Sequence, residues 1–224
     1  MRNINFKALI WIAVICGIAA WLTMLLINSE PVELSFASLK YVSSAVIFDL
    51  FLWFLFVKWG WRFRLFQGWL VPFPVLHGTW HGTINSMWVD EKTGERPPPI
   101  SVVLVIKQSF LRVDCEVLSH TEESSSRSYA AEFLINVESG AKSLLYSYAN
   151  RPRVAVRDRS PMHDGTALLE IISKPDRRLL GEYWTNRGTV GEINLSFYSK
   201  DLQETFPETL RAAKNSESGN PIPD

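Results

Sequence analysis

Residues 179–197 read LLGEYWTNRGTVGEINLSF. In the second half, Ile193, Leu195 and Phe197 alternate with Glu192, Asn194 and Ser196, a period of two that belongs to half-buried strands and not to helices. Arg187-Gly188 sits between two such runs as a turn signal, so the stretch is a strand, a tight turn and a returning strand. The same alternation recurs upstream, where Leu111, Val113, Cys115 and Val117 interleave with Arg112, Asp114 and Glu116. Eight strands are predicted, at about 77–88, 100–108, 110–119, 126–136, 143–150, 163–173, 178–187 and 189–198, and most linkers are short and turn-rich. Eight sequential antiparallel strands with no helix between them predict an up-and-down barrel; a two-sheet sandwich is the alternative, since strand number alone does not distinguish them.

Parity assigns the inward faces. Glu182 toward water turns Gly181, Tyr183, Thr185 and Arg187 inward, and Glu192 toward water turns Gly191, Ile193 and Leu195 inward. Asp164 and Glu170 outward place His163, Gly165, Ala167, Leu169 and Ile171 inside, while Trp80, Gly82 and Ile84 share one parity on the first strand. The interior is thus expected to be apolar at one end. At the other it collects Tyr183, Thr185, Arg187 and His163, with Tyr146, Tyr148 and Asn150. An inward arginine is costly without a partner. Three explanations stand for Arg187: an acid not evident from parity, water at a solvated rim, or an anionic ligand, for which the planar guanidinium fork suits phosphate.

Ahead of the strands the chain is different. Residues 1–76 hold six basic and three acidic side chains, against 17 and 20 in residues 77–224. Ala8 to Ile27 is a run of 20 residues without charge, about 30 Å of helix and enough for a hydrocarbon core. A second apolar run extends over 36–57, with Lys40 placed to snorkel. A signal peptide is disfavoured because no small-residue cleavage site follows the first run and a second run comes at once. Arg2 and Lys7 before the first run, and Lys58, Arg62 and Arg64 after the second, place both termini in the cytoplasm. Asp49, in the middle of the second run, is read as bonded to the neighbouring helix or as an organiser of hairpin assembly; an ion pathway lacks a second intramembrane acid or base. Trp59, Trp61, Phe63, Phe66, Trp69 and Phe73 mark 59–76 as an interfacial aromatic linker. The expected organisation is a two-span membrane region over 1–58, that linker, a barrel over 77–206 and a disordered tail over 207–224.

Composition narrows the function classes. Of 224 residues, 47% are hydrophobic and 21% charged, with 23 basic and 23 acidic side chains, which excludes a disordered chain and argues against DNA or RNA as a partner. Cys16 and Cys115 make neither zinc spacing nor a disulfide framework, and His77, His81 and His120 are scattered, so no metal and no cofactor is expected. No Gly-rich phosphate loop, triad order or carboxylate pair appears; the chain is read as not an enzyme and no catalytic residue is nominated.

His77-Gly78-Thr79-Trp80-His81-Gly82 resembles the opening of lipocalin and avidin barrels, where the tryptophan plugs one end. The whole layout, two spans followed by GTWHGTINS, YSYANRP, HDGTALLEI and LLGEYWTNRGTVGEI, resembles over residues 5–200 a bacterial anti-phage effector family. Its members carry two transmembrane segments and a β-strand-rich domain, and act in cyclic-oligonucleotide-based signalling (CBASS). The resemblance implies a lipocalin/avidin-like barrel that receives a cyclic dinucleotide made by a CD-NTase synthase. It implies ligand-dependent homo-oligomerisation of the hairpins, disruption of the bacterial inner membrane and abortive infection. It carries ligand-binding roles onto Trp80, Tyr146, Tyr148, Asn150, Tyr183, Thr185, Arg187 and Thr189 without fixing what each does; side-chain chemistry assigns Arg187 to a phosphate and Tyr146 or Tyr148 to a base. Two phosphates call for a second cation, and Arg151 or Arg153 is the candidate. The competing reading is a membrane-anchored lipocalin-like barrel holding an apolar molecule.

Overall fold

The computed structural model describes residues 4–217 apart from Leu34, Lys92, Glu122, Val137 and Arg159. Arg2, the loop arginine Arg159 and the tail from 218 lie outside the described residues. The chain divides into two units: Met1–Pro74 with Ser109–Leu111, and Val75–Gln108 with Arg112–Asp224.

The first unit is helical. Helix α1, Phe6–Ile27, starts where the Asn5 side chain accepts the Ala8 N–H at 3.1 Å, satisfying one of the amides a helix leaves open. It is the one helix among the described residues that is long and apolar enough to cross a membrane. The second apolar run is not a single span from 36 to 57. It is broken into α2, Phe36–Leu39, and α3, Val42–Lys58, of 17 residues. Local hydrogen bonds delimit the pieces: Ser35 and Ser38 form a reciprocal cap that starts α2, the Ser38 hydroxyl also donates to the Glu33 carbonyl, Lys40 pairs with Glu30 at 3.1 Å, and where α2 ends the Ser38 carbonyl accepts the Tyr41 N–H at 3.2 Å. Trp21 on α1 donates to the Ser38 carbonyl at 3.0 Å. At 1.5 Å per residue α3 is about 25 Å long, at the lower limit for a span.

Helices α1 and α3 meet at a notch. A Cβ on Gly17 would lie 2.6 Å from Oδ2 of Asp49, so the carboxylate occupies the space that glycine leaves open. The stretch read as an interfacial linker is partly the interior of this unit. Trp61 and Phe73 are buried, and Phe110 packs with both at ring separations of 6.3 and 6.1 Å and with Phe56 at 5.3 Å. Trp59, Phe63 and Trp69 remain exposed, as interfacial aromatics would be.

The second unit is a closed barrel with strands in sequence order, β1 to β8, every neighbour antiparallel and β8 paired back to β1. The strands are β1 Gly78–Ser86, β2 Ile100–Gln108, β3 Val113–Ser119, β4 Ser124–Ile135, β5 Lys142–Pro152, β6 His163–Ile172, β7 Arg178–Thr185 and β8 Val190–Ser199. Closure removes the two free edges a sandwich would retain. Two inward glycines permit the tight coiling: a Cβ on Gly82 would run into the Asn194 main-chain oxygen, and one on Gly181 into that of Leu168. Strand β2 carries an unbroken apolar run, Val102 to Ile106, because both its faces are covered. Its outward Val103 and Val105 lie with Leu118 beneath Phe206 and Leu210. The tail is accordingly not featureless after 206: it forms α4, Glu208–Glu217.

Candidate functional site

The two ends of the barrel are unlike. At the end where the chain enters, Trp80, Leu104, Ile106, Leu144, Leu169 and Leu179 fill the interior completely. The Trp80 indole N–H donates to the Leu76 carbonyl at 2.9 Å, and its ring meets Phe197 edge-on. The Arg177 guanidinium lies 4.0 Å from the Phe197 ring centroid and 5.0 Å from that of Trp80, and donates to the Val75 carbonyl at 2.9 Å. Partial burial lowers the Arg177 pKa below its ordinary value. Trp80 is thus buried at the far end, which it closes, and does not line the open cavity.

At the other end a cavity of about 340 Å³ is open to solvent, the lower part of the range for small-molecule sites. Ile84, Val102, Val117 and Ile193 line its deeper part, with the rings of Tyr146, Tyr148 and Tyr183. Further along the same strands stand Ser86, Ser119, Ser124, Ser126, Asn150 and His163, a hydroxyl-rich collar. Trp88 and Arg187 complete the lip. Among the described residues that line this cavity there is no Asp or Glu, so its electrostatic character is set by one guanidinium.

Each polar group is held from the strand beside it. Asn150 is buried, and its Oδ1 accepts the Ser126 hydroxyl at 3.1 Å. The His163 Nδ1 lies 3.1 Å from the Pro161 carbonyl and 3.5 Å from the Asn150 amide nitrogen. The Pro161 contact needs a proton on Nδ1 and the Asn150 contact needs a bare Nδ1, so the two are alternatives, and the tautomer that donates to Pro161 leaves the Asn150 NH₂ available to the cavity. Tyr146 and Tyr148 lie with ring centroids 5.9 Å apart. Burial pushes both phenols well above the ordinary tyrosine range, so both remain neutral hydrogen-bonding groups.

Arg187 differs from its sequence expectation. Strand β7 ends at Thr185, and Arg187 is not an inward strand residue but an exposed turn residue at the lip. Gly188, at φ 75°, makes the turn possible, since a side chain there would be strained. Thr185 is buried beneath it. Its Oγ1 accepts the N–H groups of Arg187 and Thr189, each at 3.3 Å, and lies 2.6 Å from the Thr189 hydroxyl. Asn186 ties the turn to β6 by donating its N–H to the Asp164 carbonyl and accepting the Asp164 N–H. The Arg187 guanidinium has no hydrogen bond or ion pair among the described residues. It is presented on an anchored turn with its donors open to an incoming anion.

Of the nominated residues, the fold brings Tyr146, Tyr148, Asn150, Tyr183, Arg187 and Thr189 to this one cavity, with Thr185 supporting from below. Arg151 does not join them. Tyr146, Tyr148 and Asn150 take the inward parity of β5, which turns Arg151 outward into an outer-wall cleft with Arg127, Arg153, Glu116 and Glu204. Asp49 belongs to the helical unit. Sequence reasoning missed Trp88 and the serines of the collar. Trp88 shares parity with Trp80, Gly82 and Ile84, and that signal would have found it.

A family model described as "Cap15, cyclic dinucleotide receptor domain" matches residues 71–196, more than half of the chain. No curated protein matches.

Proposed function

The chain belongs to the Cap15 family of cyclic dinucleotide receptor domains, effectors of CBASS anti-phage signalling, and on that premise we propose that the open end of its barrel is the receptor site. The observation that carries this reading is a single open cavity in which three tyrosine rings, a hydroxyl collar and one unpaired guanidinium converge without any carboxylate. A cyclic dinucleotide presents the complementary surface: flat bases, ribose hydroxyls and anionic phosphates. One base lies among Tyr146, Tyr148 and Tyr183, where aromatic faces stack sequence-tolerantly. Trp88, 48% exposed at the lip, offers a second stacking face. Arg187 takes a phosphate, with Thr189 beside it, and the Asn150 amide and collar serines read base edges and sugar.

The membrane part follows from the same premise. Helix α1 anchors the protein, α3 returns beside it, both termini lie in the cytoplasm, and the ligand comes from a CD-NTase synthase. Ligand binding gathers several hairpins into a homo-oligomer that breaches the inner membrane, because one hairpin has too few helices to enclose an opening.

The test is titration of the full chain in detergent with a panel of cyclic dinucleotides, with fatty acids as a second panel. Binding of a cyclic dinucleotide is expected, and Arg187→Ala should weaken it by about 1.5–3 kcal/mol, roughly 10- to 100-fold, the worth of a charged hydrogen bond. Binding of fatty acids alone would overturn the proposal in favour of an apolar-ligand carrier. Binding of a cyclic dinucleotide that is indifferent to Arg187 would place the site elsewhere.

A further inference from the structure

Inward positions along β5 to β8 alternate in size at the level of the cavity: Tyr146 and Tyr148 on β5, Gly165 and Ala167 on β6, Tyr183 on β7 and Gly191 on β8. The register sets each aromatic beside a small residue on the next strand, Tyr146 beside Ala167, Tyr148 beside Gly165 and Tyr183 beside Gly191. The rings use the space. A Cβ on Gly165 would lie 2.5 Å from both Cζ and Oη of Tyr148, and one on Gly191 would lie 2.5 Å from Cε1 of Tyr183. Both phenols therefore lie across the neighbouring main chain, in volume that any other residue would fill with its side chain.

Backbone dihedral angles do not explain these glycines. Neither adopts the left-handed conformation that marks Gly78 or Gly188. At Gly191 a Cβ would also run into the Asn85 main-chain oxygen, so barrel curvature alone demands glycine there. Gly165 is different. Its nearest main-chain obstacle, the Trp184 oxygen, is 3.0 Å away, and the closer contacts are the far end of one side chain. An alanine at 165 would displace the Tyr148 phenol and need only a few tenths of an ångström of give at the Trp184 oxygen.

We propose that Gly165 is a specificity-determining residue: by lacking a side chain it lets Tyr148 lie flat against the β6 wall, which keeps the cavity wide enough for a purine base and turns a ring face toward it. The inference rests on the open end being the ligand site, and it adds a size limit that the aromatic residues alone do not set. With a methyl group at 165 the phenol has one direction left, into the lumen, because β6 lies behind it. The cavity then narrows without any change in its charge or its collar.

The experiment compares the parent, Gly165→Ala, Tyr148→Ala and the double variant, each as the full chain in detergent, titrated with synthetic cyclic dinucleotides bearing two purines or two pyrimidines. A melting curve accompanies each variant. Gly165→Ala should keep a cooperative melt and lose at least about tenfold in affinity for the two-purine ligand, and clearly less for the two-pyrimidine ligand. In the Tyr148→Ala background the same Gly165→Ala change should cost almost nothing, because residues that act through one contact are strongly non-additive. Parent-like binding by Gly165→Ala, equal losses for both ligand sizes, or an undiminished loss in the Tyr148→Ala background each overturns the inference. A parent that binds no cyclic dinucleotide instead overturns the receptor reading on which it stands, so the two failures are distinct.

Discussion

His81 and Arg187 show how the same barrel wall treats two polar residues differently. Arg187 is lifted clear of the wall by an anchored turn. His81 faces outward on β1, half-buried among the Ser101 hydroxyl at 3.3 Å and the rings of Tyr198 and Phe206, which His120 also touches. Desolvation lowers the His81 pKa below 6.5, so the folded protein binds its proton less readily than the unfolded chain does. The neutral histidine's contribution is therefore intact above about pH 6.5 and is lost as pH falls through the lower folded value. Melting temperature should drop between pH 7.5 and 5.5, and His81→Gln should flatten that drop; an unchanged slope in the variant would assign the titration to another group. At this scale the sequence spoke clearly wherever parity applied. It named Tyr146, Tyr148, Asn150 and Tyr183 as inward neighbours, and the cavity contains all four. It erred at Arg187 only in treating it as a strand residue: β7 ends at Thr185, and the turn that follows carries the side chain to the lip of the cavity. It misjudged Arg151 because a demand for charge was allowed to outweigh the parity that Asn150 had already set.

Among the elements, the departures from alternation are the informative places. Strand β2 reads as a continuous apolar run, a pattern that single-strand periodicity treats as noise. Its cause is a second layer: the segment after β8 crosses the outer face and seats Phe206 on Val103, Val105 and Leu118. Thr79 holds that segment by donating to the Asp201 carbonyl at 2.6 Å and accepting the Gln203 N–H. Polar composition beyond 206 predicts a disordered tail, and nothing in that composition shows that Phe206, just ahead of it, is seated on the wall. Phe206→Ala should cost about 3 kcal/mol in unfolding free energy, the lower end for deleting a buried phenylalanine. Cyclic dinucleotide affinity should stay unchanged, since the anchor lies on the opposite face of the wall from the cavity. Chemical denaturation and ligand titration of the same variant check both halves. The second apolar run of the helical unit is the other instructive case. Hydropathy reads Phe36 to Val57 as one piece, yet the helix is interrupted after Leu39, where the Ser38 carbonyl accepts the Tyr41 N–H and the Trp21 indole N–H.

For the molecule as a whole, the two units present two different polar singularities: an unpaired cation at a wet lip, and a carboxylate, Asp49, seated on the bare α-carbon of Gly17. On the proposed reading of α1 and α3 as a membrane hairpin, a carboxyl at this depth would cost roughly 2.5–3.5 kcal/mol on insertion scales, which gives Asp49 a job between helices. Asp49→Leu should leave cyclic dinucleotide affinity intact and abolish ligand-dependent dye release from proteoliposomes. Release equal to that of the parent would remove Asp49 from the assembly step.

Val75 and Leu76, just ahead of β1, are gripped at the main chain by side chains from separate parts of the barrel. Arg177 takes the Val75 carbonyl, Trp80 the Leu76 carbonyl and Gln108 the Leu76 N–H at 2.7 Å. The stopper of the barrel and its mooring are consequently one assembly. Tension travelling along the polypeptide ahead of residue 75 reaches the Trp80 indole, the Arg177 guanidinium and the Gln108 amide before it reaches any strand ladder.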